Sequence, residues 1–215
     1  MNIIFDHWDL WIEALRNTLL LFLAGSAIAL VLGTILGAMR VSPVPIARAV
    51  GTLTVNTVRN TPLTLIFFFF VFGYPSLGLP KIDYTTLAII AIGLYAATYV
   101  CEVLRSGFNT VPVGQAEAAR ALGMTYNQVM GQVVIPQAFR SVLPPMMSVF
   151  IAVVKMTTIA AGFSVLELGA VRAFLSERGE NALAVLLWVA AIFILLIGLL
   201  SWLQRVLEDR WRIVR

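Results

Sequence analysis

Long, predominantly apolar runs constrain this chain more than any other feature of its sequence. They stand at about residues 17–39, 52–72, 85–104, 140–161 and 182–203. Each run is longer than the roughly 18 residues that indicate a membrane-spanning α-helix. Only 12% of the residues are charged, whereas soluble domains contain about 25%. The sequence therefore predicts an all-α membrane protein, with five transmembrane helices in a single domain over residues 1–215.

The segment before the first run, residues 1–15, is short and acidic, with Asp6 and Asp9 beside Trp8 and Trp11. A secretory signal peptide would begin with positive charges and end in a small-residue cleavage site. Tryptophan is enriched at the membrane–water boundary. We therefore expect a short interfacial helix here rather than a cleaved leader.

The distribution of basic residues predicts the orientation of the five helices. With the C-terminus in the cytosol, the inner segments carry Arg40, Arg48, Arg105, Arg120, Arg140, Arg205, Arg210, Arg212 and Arg215. The outer segments then carry Lys81, Arg172 and Arg178, with Arg16 at the boundary. Because cytosolic segments are enriched in Lys and Arg, the N-terminus is predicted outside and the C-terminus in the cytosol. The dispersed arginines reflect this topology and argue against binding of nucleic acid.

The longest polar interval between the apolar runs, Val113 to Pro136, is cytosolic in this orientation. It mixes Gln, Glu, Arg and Asn with helix-forming Ala, Leu and Met. Ala118, Ala121 and Leu122 recur at helical spacing, so that one face is apolar and the other is polar. We therefore expect a cytosolic amphipathic helix at about residues 113–131, against which a partner docks.

Within this interval, the spacing of Glu117-Ala118-Ala119, Gly123 and Val133-x-Ile135-Pro136 resembles the EAA motif of bacterial ABC-importer permeases. Three further stretches resemble the polar-amino-acid subfamily of these permeases: residues 58–63 (V-R-N-T-P-L), 102–107 (E-V-L-R-S-G) and 155–158 (K-M-T-T). Glutamate-uptake permeases in particular are similar at residues 40–44 (R-V-S-P-V) and 57–65 (T-V-R-N-T-P-L-T-L).

The resemblance implies the fold of a type I ABC importer permease in the bacterial plasma (inner) membrane. Two permease subunits, copies or homologues, would enclose a translocation path, with an ATPase dimer beneath and an extracytoplasmic amino-acid-binding protein outside. The chain would be a transport subunit and not an enzyme, and it would bind no cofactor, because Mg-ATP would bind the partner ATPase. It would carry a polar amino acid, glutamate or a related acidic or amide amino acid, into the cytosol.

The resemblance also implies that the EAA segment is a coupling helix, which sits in a groove of the ATPase. The residues expected at that interface are Glu117, Ala118, Ala119, Arg120, Leu122 and Gly123. Glu117 would be the polar anchor, and the alanines and Leu122 would give close apolar contact. Gly123 would end the first helical part, because glycine adopts a left-handed backbone at little cost.

Three ionisable side chains, Arg59, Glu102 and Lys155, fall inside the predicted spans. Such a group costs about 2.5–3.5 kcal/mol at the centre of a span on insertion scales, and is a functional candidate for that reason. Arg59 and Glu102 lie at similar depth towards the cytosolic end, which predicts an ion pair. The sequence leaves open whether this pair is structural, acts in gating or contacts the substrate.

Lys155 is expected in the outer half of the fourth span, at a depth where the chain offers no acidic residue. A lysine that faces the bundle there would attract a carboxylate, and a proline-broken backbone nearby is tolerated where a span lines a cavity. The predicted substrate path consists of Lys155, Thr157, Thr158, Arg59, Asn60, Thr61 and Glu102. Its positive bias favours an acidic substrate. The alternative is that Lys155 snorkels to the membrane surface.

Two other classes of function fit the sequence less well than an ABC importer. An ion-gradient-driven secondary amino-acid carrier would need coupling carboxylates near the midplane and usually internal repeats. Glu102 supports this class only weakly, because it is a single carboxylate near the end of a helix. A membrane enzyme would need a nucleophile–base pair or a metal centre. With one histidine, His7, and one cysteine, Cys101, the sequence predicts neither of these, and no metal site.

Small residues line one face of the first span, where Gly25, Ala29, Gly33 and Gly37 recur every four residues. Such a face allows another helix to approach closely in lipid. It fits packing within the chain as well as packing against a second permease subunit.

Overall fold

The computed structural model describes residues 3–210, in which all regular structure is helical. The α-helices are α1 (Ile3–Asp6), α2 (Trp8–Arg40), α3 (Pro45–Asn60), α4 (Leu63–Phe68), α5 (Tyr74–Ser76), α6 (Tyr84–Asn109), α7 (Val113–Ala121), α8 (Tyr126–Gln128), α9 (Ile135–Met156), α10 (Val171–Glu177) and α11 (Ala182–Arg210). Two π-helical segments, Phe69–Gly73 and Val129–Val134, and a 3-10 helix, Thr157–Phe163, join some of them.

Four helical stretches are long and apolar enough to cross a membrane: Trp8–Arg40, Tyr84–Asn109, Tyr126–Phe163 and Ala182–Arg210. A bent pair, Pro45–Asn60 with Leu63–Ser76, is a fifth candidate, either as a broken span or as a re-entrant loop. The chain is therefore an all-helical membrane protein with four or five candidate spans. Arg212 and Arg215, which were counted among the cytosolic arginines in predicting the orientation, lie outside the described residues.

The second predicted span, at about residues 52–72, is not one helix. Its two parts meet at an angle of 100°, between Asn60 and Leu63. Pro62 explains the break, because proline lacks an N–H group and forces the preceding residue out of the helical region. Thr61 accordingly has an extended backbone, with φ −89° and ψ 131°.

The small-residue face of α2 packs against α6 within the same chain. A Cβ atom on Gly33 would lie 2.6 Å from the side chain of Val100 and 2.7 Å from the carbonyl oxygen of Ala97. Gly25 likewise faces Ile92 of α6, and Gly37 faces Leu104. From Gly25 through Gly33 to Gly37, the facing residue of α6 advances in the same direction, by eight and then four positions. The two helices therefore run parallel, and the small residues serve packing within the subunit.

The predicted interfacial helix at residues 1–15 is wrong for the part that the structure describes. α1 spans only Ile3–Asp6, and α2 runs without a break from Trp8 into the first span. Trp8 is exposed, but Trp11 is 4% exposed and packs in a second core cluster with Leu168 and Val185. No proline or glycine separates this segment from the apolar run, so the helix continues.

The predicted extent of the coupling helix, about residues 113–131, is also wrong, although its first part does end next to Gly123 as expected. α7 ends at Ala121, and Gly123 adopts a left-handed backbone with φ +83°. The Thr125 side chain then caps a new helix in a capping box with Gln128. That helix continues to Phe163, so the fourth span starts well before residue 140. α7 packs back against the π-helical segment Val129–Val134, which gives a helical hairpin.

Candidate substrate path and coupling surface

Glu102 is the centre of an ionic cluster at the C-terminal ends of three helices. Its Oε1 atom lies 2.5 Å from Nη1 of Arg40 in α2 and 3.7 Å from Nη1 of Arg59 in α3. Its Oε2 atom accepts hydrogen bonds from Nη2 and Nε of Arg105, at 3.0 and 3.2 Å. We call Glu102, Arg40, Arg59 and Arg105 the Glu102 cluster. One carboxylate is thus shared among three guanidinium groups.

Arg59 is the least engaged arginine of the Glu102 cluster. Its distance to Glu102 is the longest of the three, and 48% of its side chain is exposed, against 12% for Arg40. The guanidinium carbon also lies 5.6 Å from the ring centroid of Tyr99, within range of a cation–π contact. The structure therefore brings Arg59 and Glu102 together, and it adds Arg40 and Arg105, which were not among the residues predicted for the substrate path.

Sequence reasoning could have found one of these partners. Glu102 and Arg105 stand three residues apart on a helix, a spacing that brings side chains together. Arg40 gave no such signal, because 62 residues separate it from Glu102.

The broken backbone beside the Glu102 cluster carries Asn60 and Thr61. Asn60 is exposed, and Thr61 is partly buried with its hydroxyl donating to the carbonyl oxygen of Thr57 at 2.8 Å. The amide of Asn60 therefore stays available at the bend between α3 and α4.

Lys155 lies apart from the Glu102 cluster, in a groove of about 460 Å³ against α11. We call this the Lys155 groove; it is lined by Lys155, Ile194, Ile197, Gly198, Ser201, Trp202 and Arg205. Within residues 3–210, the exposed ammonium group of Lys155 has no ion-pair partner. The α11 wall of this groove was not predicted from the sequence.

The two threonines after Lys155 are placed differently. Thr157 is fully buried, and its hydroxyl donates to the carbonyl oxygen of Val154 at 2.8 Å. Thr158 is exposed, with its hydroxyl donating to the carbonyl oxygen of Lys155 at 2.7 Å. Thr157 therefore does not reach the Lys155 groove with its side chain in this structure, whereas Thr158 borders accessible space.

The α7 hairpin presents most of the predicted coupling residues to its surroundings. Glu117, Ala118, Arg120 and Gly123 are exposed, and Leu122 is 85% exposed. A leucine so exposed at the tip of a hairpin is suited to insertion into a partner. One predicted contact residue differs: Ala119 is only 5% exposed and belongs to the inward face of α7.

A buried carboxyl group that sequence reasoning missed lies in the segment between the 3-10 helix and α10. Glu167 is fully buried, and its Oε1 atom accepts a hydrogen bond from the N–H group of Ala170 at 3.0 Å. Its Oε2 atom has no hydrogen-bond partner within the described part of the chain. Burial raises the pKa of the Glu167 carboxyl to about 7, against the opposing effect of the Gly169 and Ala170 N–H groups.

Two side chains of α2 hold this segment in place. The N–H group of Leu168 donates to Oγ1 of Thr18 at 3.0 Å, and Nδ2 of Asn17 donates to the carbonyl oxygen of Leu166 at 2.7 Å. Glu167 is thereby fixed inside the bundle next to Thr18.

A helical membrane bundle with a sharply bent helix pair, cationic side chains within its candidate spans and an exposed helical hairpin has the features of a membrane transport subunit. The chain belongs to the family of binding-protein-dependent transport system inner membrane components, whose model matches residues 29–213. It is thus a multi-pass subunit of the inner membrane and not itself the ATPase. Such a transport system implies an ATPase and a binding protein as partners.

Individual relatives agree with the family. The chain is 44% identical over 176 residues to the glutamate transport system permease protein GluC of Corynebacterium efficiens, covering 77% of this chain and 76% of the relative. It is 32% identical over 210 residues to the probable glutamine ABC transporter permease protein GlnM of Bacillus subtilis, covering 98% and 97%. The crystal structure of an amino acid ABC transporter with histidines superposes with a TM-score of 0.91 at 27% identity over 96% of each chain. The predicted resemblance to ABC-importer permeases is confirmed.

Proposed function

We propose that the chain is the membrane subunit of an ABC importer for an acidic amino acid, with glutamate as the first candidate. Similarity to the glutamate permease GluC supports this substrate. The observation in the structure that carries the acidic preference is Lys155, an exposed cation within a span and without an acidic partner among residues 3–210. Within a span, where the surroundings are less polar than water, an ammonium group favours a carboxylate ligand. Membership of the family favours this importer over the ion-gradient-driven carrier.

The parallel packing of α2 and α6 supports five crossings. In this proposal the chain between these two helices returns across the membrane, with α3 to α5 as a broken span rather than a re-entrant loop. The arginines of the Glu102 cluster then lie at one side, together with α7, which begins four residues after the end of α6. Cytosolic segments are rich in arginine, which supports an external N-terminus and a cytosolic C-terminus.

The partners in this proposal are a second permease subunit, an ATPase dimer and an external amino-acid-binding protein, with Mg-ATP bound by the ATPase. The exposed face of α7, including Glu117, Ala118 and Leu122, enters a groove of the ATPase, while Ala119 packs inward. Arg120 and Gly123 complete that surface. ATP draws the two ATPase subunits together, the two coupling hairpins follow, and the path opens outward.

One continuous helical stretch connects the coupling surface with Lys155. Tyr126–Phe163 contains 38 residues, or about 57 Å at the rise of an α-helix. α7 packs on its π-helical segment near one end, and Lys155 stands towards the other end. A displacement of α7 therefore moves Lys155 with it. Hydrolysis reverses the displacement and turns the path to the cytosol.

Reconstitution of the chain with its ATPase and binding protein in proteoliposomes tests the substrate. We expect ATP-dependent accumulation of labelled glutamate, with competition by aspartate stronger than by glutamine and negligible by arginine. Preferred uptake of arginine would overturn the acidic preference.

A substitution on α7 tests the coupling. Glu117→Lys is expected to lower ATP-driven uptake at least about tenfold, because it reverses the charge of the polar anchor. Glu177→Lys, the same exchange on an exposed residue of α10, is the matched control and is expected to transport normally. Wild-type uptake by the Glu117→Lys variant would refute the coupling role.

A further inference from the structure

The wall that faces Lys155 comes from the C-terminal half of α11. Ser201, Trp202 and Arg205 line it. Gly198 leaves the middle of the Lys155 groove open, because a Cβ atom there would meet no heavy atom within 4 Å. The volume of about 460 Å³ lies within the range of about 300–1,000 Å³ that is usual for small-molecule sites.

The charge of the Lys155 groove is uncompensated. Lys155 and Arg205 are both exposed, and neither forms an ion pair within residues 3–210. Among the described residues that line the groove, none is acidic. Glu208, one turn after Arg205, instead accepts a hydrogen bond from Gln204 at 2.9 Å. Two cations in one groove repel each other, and a ligand with two negative charges relieves that repulsion.

We infer that the Lys155 groove binds an acidic amino acid through both of its carboxylates, with Arg205 as a second specificity-determining residue beside Lys155. The inference rests on the proposed function and deepens it. Lysine supplies a point charge on a flexible stem, whereas the planar arginine fork takes a carboxylate through two parallel hydrogen bonds. The Ser201 hydroxyl offers a further donor. The α11 wall from Ile194 to Arg205 is about 16 Å long, which accommodates an extended five-carbon dicarboxylate.

This arrangement distinguishes a dicarboxylate from its amide. Glutamine has the size of glutamate but offers a neutral group to the second cation, and it would leave that cation unpaired. A binding site loses most affinity when one of its own polar groups stays unsatisfied. Arg205 therefore contributes to the preference for glutamate over glutamine within the permease itself, independently of the binding protein.

Direct binding to the permease–ATPase complex in nanodiscs, without binding protein, tests this role. Labelled L-glutamate is the probe, and unlabelled L-glutamine is the competitor. We expect Arg205→Gln to weaken glutamate binding about tenfold and to change glutamine binding less than about twofold. Arg205→Lys retains the charge and is expected to recover part of the glutamate affinity. Arg210→Gln, an exposed arginine on the same helix outside the groove, is the matched control and is expected to bind as wild type.

Three results would overturn the inference. One is glutamate binding by Arg205→Gln that equals wild type. Another is an equal loss of glutamate and glutamine binding, which would indicate a structural role of Arg205. The third is an absence of glutamate binding by the wild-type complex although the complete importer takes up glutamate. A complete wild-type importer that takes up no acidic amino acid would instead refute the proposed function.

The phosphate of an anionic lipid headgroup shares the charge of a carboxylate and is the competing occupant. The same measurements in nanodiscs of phosphatidylcholine alone and of phosphatidylcholine with phosphatidylglycerol separate the two. We expect the loss in Arg205→Gln to be the same in both lipids. A loss seen only with phosphatidylglycerol would assign Arg205 to the lipid and overturn its role towards substrate.

Discussion

Glu167 makes the stability of the chain depend on pH in an unusual direction. Its carboxyl group is fully buried, one of its oxygens has no hydrogen-bond partner among residues 3–210, and its pKa is raised to about 7 from an ordinary value of 4.5. A group with a raised pKa in the folded state favours folding while it is protonated. That stability is fully present below about pH 4.5 and is lost as the pH rises through about 7.

The size of the effect follows from the pKa. A tenfold change in proton affinity corresponds to about 1.36 kcal/mol, so the free energy of unfolding falls by roughly 3 kcal/mol between about pH 4.5 and about pH 8. Glu167→Gln removes the titration and keeps an oxygen that accepts the hydrogen bond from Ala170. We expect this variant to equal wild type near about pH 5 and to be more stable by roughly 3 kcal/mol near about pH 8.

Trp11 provides the signal for the assay, because it packs in the same core cluster as Leu168, the neighbour of Glu167. Unfolding of the purified chain in detergent micelles, followed by tryptophan fluorescence across this pH range, gives the two free energies. Glu177→Gln, at an exposed position, controls for the exchange itself. An advantage of Glu167→Gln that is the same at both ends of the pH range would refute the reasoning, as would a wild type whose stability does not fall with rising pH.

Two further predictions concern packing and the Glu102 cluster. Gly33→Ala places a Cβ atom 2.6 Å from the Val100 side chain and 2.7 Å from a backbone oxygen, so we expect it to destabilise the chain by about 1–3 kcal/mol. Gly162→Ala is the control and is not expected to destabilise the chain, because a Cβ atom there meets nothing within 4 Å. Equal stability of the two variants would contradict the close α2–α6 contact. In double-mutant cycles measured by unfolding, Arg40 and Glu102, 2.5 Å apart, are expected to couple by about 1–2 kcal/mol, and Arg59 and Glu102, 3.7 Å apart, by less than about 0.5 kcal/mol. A coupling of Arg59 that matches that of Arg40 would argue against Arg59 as the loosely held member.

The sequence predicted the helical membrane class and the family, because both depend on patterns that are local or regularly spaced. It also contained signals that were not used. Thr125 and Gln128 have the spacing of a capping box, and with Gly123 they mark the end of one helix and the start of the next. Gly123 was expected to end the first helical part, whereas the new helix capped by Thr125, and with it the hairpin, was predictable but was not predicted.

Other features could not be predicted, because they depend on contacts between distant parts of the chain. Pro62 predicts a break in the helix, but the angle of 100° depends on what the two halves pack against. Lys155 and Thr157 are two residues apart, yet Lys155 is exposed and Thr157 is buried. The helix changes to 3-10 geometry at Thr157, between these two environments. The α11 wall of the Lys155 groove begins nearly forty residues after Lys155, beyond the reach of any spacing rule.

The buried residues of α11, Val185 and Val189, both lie near its N-terminal end. The following five turns or so carry large apolar side chains that the chain itself leaves open, such as Ile194, Leu195 and Leu199. Amide hydrogen exchange along this helix should therefore form a gradient, slow near Val185 and Val189 and faster towards Arg210. Assembly of the full transporter would flatten that gradient, so the exchange profile of this one helix reports whether the subunit is bound to its partner subunits.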